Sequence, residues 1–76
     1  AISNATRIKI LEILYSEGAM SYSDLLRKVG VNIIRDAGDF AYHLKQLNTT
    51  SLVTIEDKKY LLTGKGTRIL EFCRKL

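Results

Sequence analysis

Residues 36–62 read DAGDFAYHLKQLNTTSLVTIEDKKYLL, and the period of their apolar residues changes part-way through. Phe40, Leu44 and Leu47 recur at i, i+4 and i+7, one stripe of a helix expected from Asp36 to about Asn48. Asp36 is the expected acceptor for the free N–H groups of its first turn, and Asp39, three residues on, makes a weak form of the reciprocal capping box. From Leu52 the period becomes two: Val53 and Ile55 alternate with Leu52, Thr54 and Glu56, and Tyr60 and Leu62 alternate after a charged turn. A helix leading into a β-hairpin follows. With Asp57 and Lys58 as a two-residue turn, Ile55 stands opposite Tyr60 and Val53 opposite Leu62, which puts the apolar residues of both strands on one face. Gly is missing from the second turn position, so a four-residue loop from Glu56 to Lys59 is the alternative.

Upstream, the segment from about Asn4 to Ser16 carries Ile8, Leu11 and Tyr15 on one helical stripe with Ile10 and Leu14 beside it, and Ser3 or Asn4 is available as N-cap. Ile13 widens that apolar arc, which fits a helix facing a partner as well as the core. Glu17 and Gly18 break the pattern, and Ala19 and Met20 allow a brief extended piece. Ser21 then caps a short helix, Tyr22 to Val29, that buries Leu25, Leu26 and Val29 and ends at Gly30. A linker is expected over Val31 to Arg35. Downstream, a last helix is expected to start near Thr63 or Lys65, with Ile69, Phe72, Cys73 and Leu76 on one stripe.

The composition bounds what such a chain does. Seventy-six residues make one domain, and 46% hydrophobic against 26% charged residues place it with globular chains. No apolar run approaches the roughly 20 residues of a membrane span, and no basic-then-apolar leader opens the chain, so a soluble protein without a membrane partner is expected. A single cysteine, Cys73, forms no internal disulfide and fits a cytoplasmic setting. Ala1 in place of an initiator Met, and an apolar pattern still running at Leu76, fit a piece of a longer chain. The net charge of +4 suits an anionic partner, although from Arg35 to Lys65 five basic residues face four acidic ones.

Helix, extended piece, helix, linker, helix, hairpin, helix is the order of an α+β winged helix-turn-helix domain: a three-helix core, a two-stranded β wing and a C-terminal helix. Ile8, Leu11, Leu14, Leu25, Leu26, Val29, Phe40, Leu44, Leu47, Val53, Ile55, Tyr60 and Leu62 are its expected core. Several motifs resemble one family of such domains. RIKILEIL (residues 7–14) followed by Leu25 and Leu26 looks like the opening of ArsR-type regulators. YHLKQL (residues 42–47) resembles their recognition helix, and DAGDFAYHL (residues 36–44) is similar to a D-S-G-x-F-N-Y-H-L pattern of archaeal members. YLLTGKG (residues 60–66) looks like their closing strand and the start of their last helix. Ala37 and Ala41 depart from the pattern by replacing small polar residues. The resemblance implies a transcriptional regulator that binds double-stranded DNA.

In such a domain the second helix of the pair enters the major groove while the first braces it. With Phe40, Leu44 and Leu47 inward, Gly38, Asp39, Tyr42 and Gln46 are expected on the groove side, with Tyr42 and Gln46 nearest base edges. His43 and Lys45 flank them, nearer phosphate; Arg35 and the wing residues Lys58 and Lys59 complete the expected DNA-binding set. For His43 a solvated polar position is the alternative, and for Lys58 and Lys59 a solvated turn. The apolar stripe of the last helix, together with the first helix, suggests a homodimer. Metal sensors of the family use paired cysteines and acid/His clusters; with one Cys and one His, no metal, cofactor or catalytic centre is expected. Cys73 reads as a small apolar packing residue. The rival reading is a winged helix that binds protein without reading DNA, favoured by the near-neutral charge around the third helix and its two leading acids.

Overall fold

A computed structural model describes residues 2–30 and 33–75 of the chain, with side chains placed for 6–30 and 38–73. The elements run α1 (Ile2–Glu17), β1 (Met20–Ser21), α2 (Tyr22–Val29), α3 (Ile33–Thr49), β2 (Val53–Glu56), β3 (Lys59–Leu62) and α4 (Gly64–Lys75). The result is a small α+β fold of four helices and a three-stranded antiparallel sheet, an arrangement compatible with a winged helix. Among the described residues no helix is long and apolar enough to cross a membrane.

The hairpin follows the register its alternation requires. Ile55 pairs with Tyr60, Val53 with Leu62 and Glu56 with Lys59. Asp57 and Lys58 both take positive φ, 51° and 64°, as a two-residue primed turn demands, so the tighter of the two turns forms without glycine. The sheet, however, has three strands rather than two, because Met20 and Ser21 pair with Tyr60 and Lys59 on the other side of β3. Two residues carry too little periodicity to announce a strand. Ser21 also caps α2, its Oγ accepting a hydrogen bond from the Asp24 N–H at 3.2 Å.

Two helix starts lie earlier than the cap residues suggested. α1 already includes Ser3 and Asn4, and α3 begins at Ile33, so Asp36 lies inside α3 rather than at its cap. No proline stands in the chain to stop either helix from extending backwards. α3 thus takes up Ile33 to Arg35 of the expected linker, while Val31 and Asn32 lie outside the described residues. α2 ends at Gly30, whose φ of 80° is left-handed and whose N–H donates to the Leu26 carbonyl at 3.2 Å.

The core is built from Ile10, Leu11 and Leu14 of α1, Leu25, Leu26 and Val29 of α2, Phe40, Leu44 and Leu47 of α3, Val53 and Leu70. Tyr22 packs edge-on against Phe40, ring centroids 5.4 Å apart, and joins α2 to α3. Two expectations change here, at Ile8 and Ile55. Ile8 is exposed while Ile10 is fully buried, because α1 is apolar around most of its girth and its contacts with α2, α3, α4 and β3 choose the inward stripe. Ile55 is 47% exposed, whereas Tyr60 and Leu62 on the facing strand are partly buried against the core and Val53 is fully buried. Leu70, absent from the expected core, anchors α4 there, while Ile69 and Phe72 are exposed, Phe72 at 63%.

The end of α3 is joined to α4 by a dense set of backbone contacts. Leu52 N–H donates to the Leu47 carbonyl (2.9 Å) and Ser51 N–H to Asn48 (3.1 Å), a Schellman closure with Ser51 at φ 65° where glycine is usual. Thr63 N–H donates to the Leu52 carbonyl at 3.1 Å, and the Thr63 hydroxyl donates to the Ser51 carbonyl at 2.6 Å while accepting from Gly66 N–H at 3.0 Å as the N-cap of α4. Lys65 Nζ donates to the Thr50 carbonyl at 3.1 Å. A methyl group on Gly66 would collide with the Leu52 carbonyl oxygen and lie 2.8 Å from Leu62 Cδ1, so α4 approaches this strand only because residue 66 has no side chain.

Gly66→Ala should therefore cost about 2 kcal/mol or more by overpacking, whereas Gly38→Ala, on the helical and open face of α3, should gain about 1 kcal/mol. Urea denaturation of the two variants gives opposite signs. Ser51→Gly should add about 1 kcal/mol in the same assay by relieving its left-handed backbone.

Candidate functional site

The helical period of α3 fixes which residues it presents. Its buried stripe contains Phe40, His43, Leu44 and Leu47, the i, i+3, i+4, i+7 pattern of a full core-facing helix. His43 is thus only 8% exposed and does not flank the outer face, contrary to its reading as a solvated or phosphate-facing group. Arg7 of α1 explains how a polar ring is held there: its Nε donates to His43 Nδ1 at 3.2 Å.

Burying His43 rotates the outward face of α3. Gly38, Tyr42 and Lys45 lie along its centre and are exposed, with Tyr42 at 55%. Gln46, expected to share the centre, moves to the flank and is half-buried. Asp39 is exposed on that same flank. Lys58 and Lys59 are exposed at the hairpin, beside the equally exposed Glu56 and Asp57. The side chain of Arg35 lies outside the described residues. Lys45 also borders a cleft of about 200 Å³ between α3 and the hairpin, lined by Ala41, Asn48, Ile55 and Tyr60 among others. The structure thus brings Tyr42 and Lys45 onto one surface with the hairpin beside it, and removes His43 from that surface.

Arg7 is the residue that sequence reasoning missed. Besides holding His43, its guanidinium carbon stands 6.0 Å from the centroid of the Tyr42 ring, placing a cation from α1 against the exposed aromatic of α3. Arg7 and His43 are 36 positions apart, and no local spacing links them. Elsewhere the cations are partly neutralised: Arg27 pairs with Asp24, and Lys28 Nζ lies 3.2 Å from Glu17, so two basic residues of α2 have acidic partners. Among the described residues, no group of three or more His, Cys, Asp and Glu side chains is placed to hold a metal ion.

Two packed helices, a hairpin beside the second and a cation–aromatic surface on that helix make up the candidate site. The chain belongs to the family described as Domain of unknown function (DUF7347). The family model matches residues 1–73. No curated protein and no solved structure matches the sequence.

The Arg7–His43 bond has a measurable weight. Arg7→Met keeps an apolar stem but removes the donor to Nδ1, and should cost about 1 kcal/mol in urea denaturation. His43→Phe should then cost less in the Arg7→Met background than alone, because the two side chains act as a unit.

Proposed function

We propose that this domain binds double-stranded DNA as part of a transcriptional regulator of the ArsR type, with α3 in the major groove and the β2–β3 hairpin as a wing. The observation that carries the reading is the packing of α3 against α2, with Tyr22 edge-on to Phe40, which leaves Tyr42 and Lys45 outward and the hairpin alongside. In helix-turn-helix units the second helix of such a pair reads the groove. Tyr42 and Lys45, at the centre of the outer face, meet the groove first; Gln46 reaches base edges from the flank, and Arg7 joins Lys45, Lys58 and Lys59 as a phosphate contact. His43 serves by holding Arg7 in place. Pairing of two copies through α1 and α4 would set two half-sites about 10 base pairs apart or a multiple of that. The single cysteine and the absence of any catalytic motif in the sequence fit a cytoplasmic, non-enzymatic regulator.

A second reading is a winged helix that recognises a protein partner. Asp39, Glu56 and Asp57 are exposed among the lysines, and Ile55 presents apolar surface near the wing tip, a mixture that suits protein better than a uniform phosphate backbone.

A salt titration of binding to generic duplex DNA separates the two. The DNA reading expects the logarithm of affinity to fall against the logarithm of salt by about 0.9 per phosphate contact. Lys45→Ala and Lys58→Ala should each lower that slope by about one, whereas Gln46→Ala should relax specificity at one base pair by about 1 to 3 kcal/mol. A folded protein in which substitution of Tyr42, Lys45 and Gln46 together leaves affinity and slope unchanged would favour the protein-binding reading.

A further inference from the structure

We propose that the cleft between α1 and α4 is a binding site for a small amphiphilic carboxylate, an apolar body ending in one negative charge. The cleft has a volume of about 470 Å³, within the roughly 300–1,000 Å³ typical of small-molecule sites. Its walls are Ile8, Leu11, Leu47 and Ile69, contributed by three helices. The charged side chains that line it are Arg7 and Lys65, and among the described residues no acidic one joins them. Apolar walls with two cations and no anion are complementary to a molecule that carries both characters. Lys65 Nζ donates to the Thr50 carbonyl and Arg7 Nε to His43, but neither partner carries a negative charge. A neutral hydrocarbon would therefore leave both cations without a counter-charge, and a small polar anion would leave the walls wet.

Arg7 gives the site a connection to α3. Its planar guanidinium has five N–H donors; Nε is used by His43, and the remaining donors suit a carboxylate in the fork geometry arginine favours. A carboxylate drawn to Arg7 acts on the group that holds His43 and faces the Tyr42 ring. Occupancy of the cleft is thereby coupled to the outer face of α3 through one side chain. The binding site stands whether or not α3 reads DNA; only the regulatory meaning of the coupling rests on that reading.

The chain supplies its own reporters, one cysteine and one histidine. Cys73 lines the cleft and His43 lies behind Arg7. The untagged protein is titrated with decanoate, decanol and decyltrimethylammonium, following the rate of Cys73 alkylation by N-ethylmaleimide and the His43 ring resonances by NMR. The expected result is saturable decanoate binding at one site per chain, with Cys73 alkylation slowed at least fivefold and the His43 resonances shifting with the same midpoint. Decanol should bind at least tenfold more weakly, the cationic amphiphile more weakly still, and Arg7→Gln or Lys65→Gln should each raise the decanoate midpoint several-fold. Lys65→Gln carries the charge test if Arg7→Gln fails to fold. Equal binding of all three amphiphiles, non-saturable uptake or unprotected Cys73 would overturn the site. Protection of Cys73 by protein concentration alone, unrelieved by decanoate, would give the cleft to the α1–α4 pairing of two copies and overturn the ligand site. Saturable binding that leaves His43 unmoved would overturn the coupling. None of these readouts involves DNA, so failure of the DNA reading leaves them interpretable.

Discussion

The close approach of α4 to the start of β2 is the constraint on which the rest of the arrangement hangs. At the Leu52 carbonyl, the Thr63 N–H binds and the bare α-carbon of Gly66 packs, while the end of α3 is closed by the Leu52 and Ser51 N–H groups. Four element ends thus meet within a few residues: the C-terminus of α3, the first residue before β2, the residue after β3 and the first turn of α4. Backbone groups that would otherwise be orphaned at two helix ends and a strand end satisfy one another there. The joint fixes the direction in which the hairpin leaves α3, and with it the cleft between α3 and the hairpin. It also sets α4 beside α1, which creates the second, larger cleft. Both candidate binding surfaces are consequences of one local piece of chain geometry.

How much of this is legible in the sequence depends on the kind of signal each element carries. The hairpin is legible because period two admits only two faces, and Val53, Ile55, Tyr60 and Leu62 select one; a slip of one residue would reverse them all. The α2 helix is legible because Ser21 and Gly30 mark its ends by backbone chemistry. α1 is not, since Ile8, Ile10, Leu11, Ile13 and Leu14 offer several apolar stripes, and only the placement of its neighbours decides that Ile10 goes in and Ile8 stays out. β1 is two residues long and exists because β3 offers an unpaired edge. Gly66 reads as helix-start punctuation in sequence, whereas its structural reason is the Leu52 carbonyl 14 positions away.

The candidate site is legible in its exposed residues and not in its support. Tyr42, Lys45, Lys58 and Lys59 are outward as polar residues off an apolar stripe should be. His43 defeats that rule because a polar side chain can occupy a buried position when a partner satisfies it, and the partner here comes from another helix. Counting His43 among the buried residues shifts the centre of the α3 face from Gln46 towards Lys45. One misplaced residue thus changes which side chains stand nearest a partner, although the helix itself is plain from its period.

Arg7 is the point where the larger cleft and the outer face of α3 share a physical cause. An arginine on α1 would ordinarily extend into solvent, since rotamer entropy and hydration both favour it there. Here one nitrogen is engaged by a buried imidazole, the guanidinium lies beside the Tyr42 ring and the side chain lines the apolar cleft. A lysine could not meet these demands together: its ammonium is a compact, strongly hydrated charge without a planar fork. The side chain thus meets the buried imidazole, the exposed ring and the cleft wall at once, so a substitution at residue 7 acts on all three surfaces together.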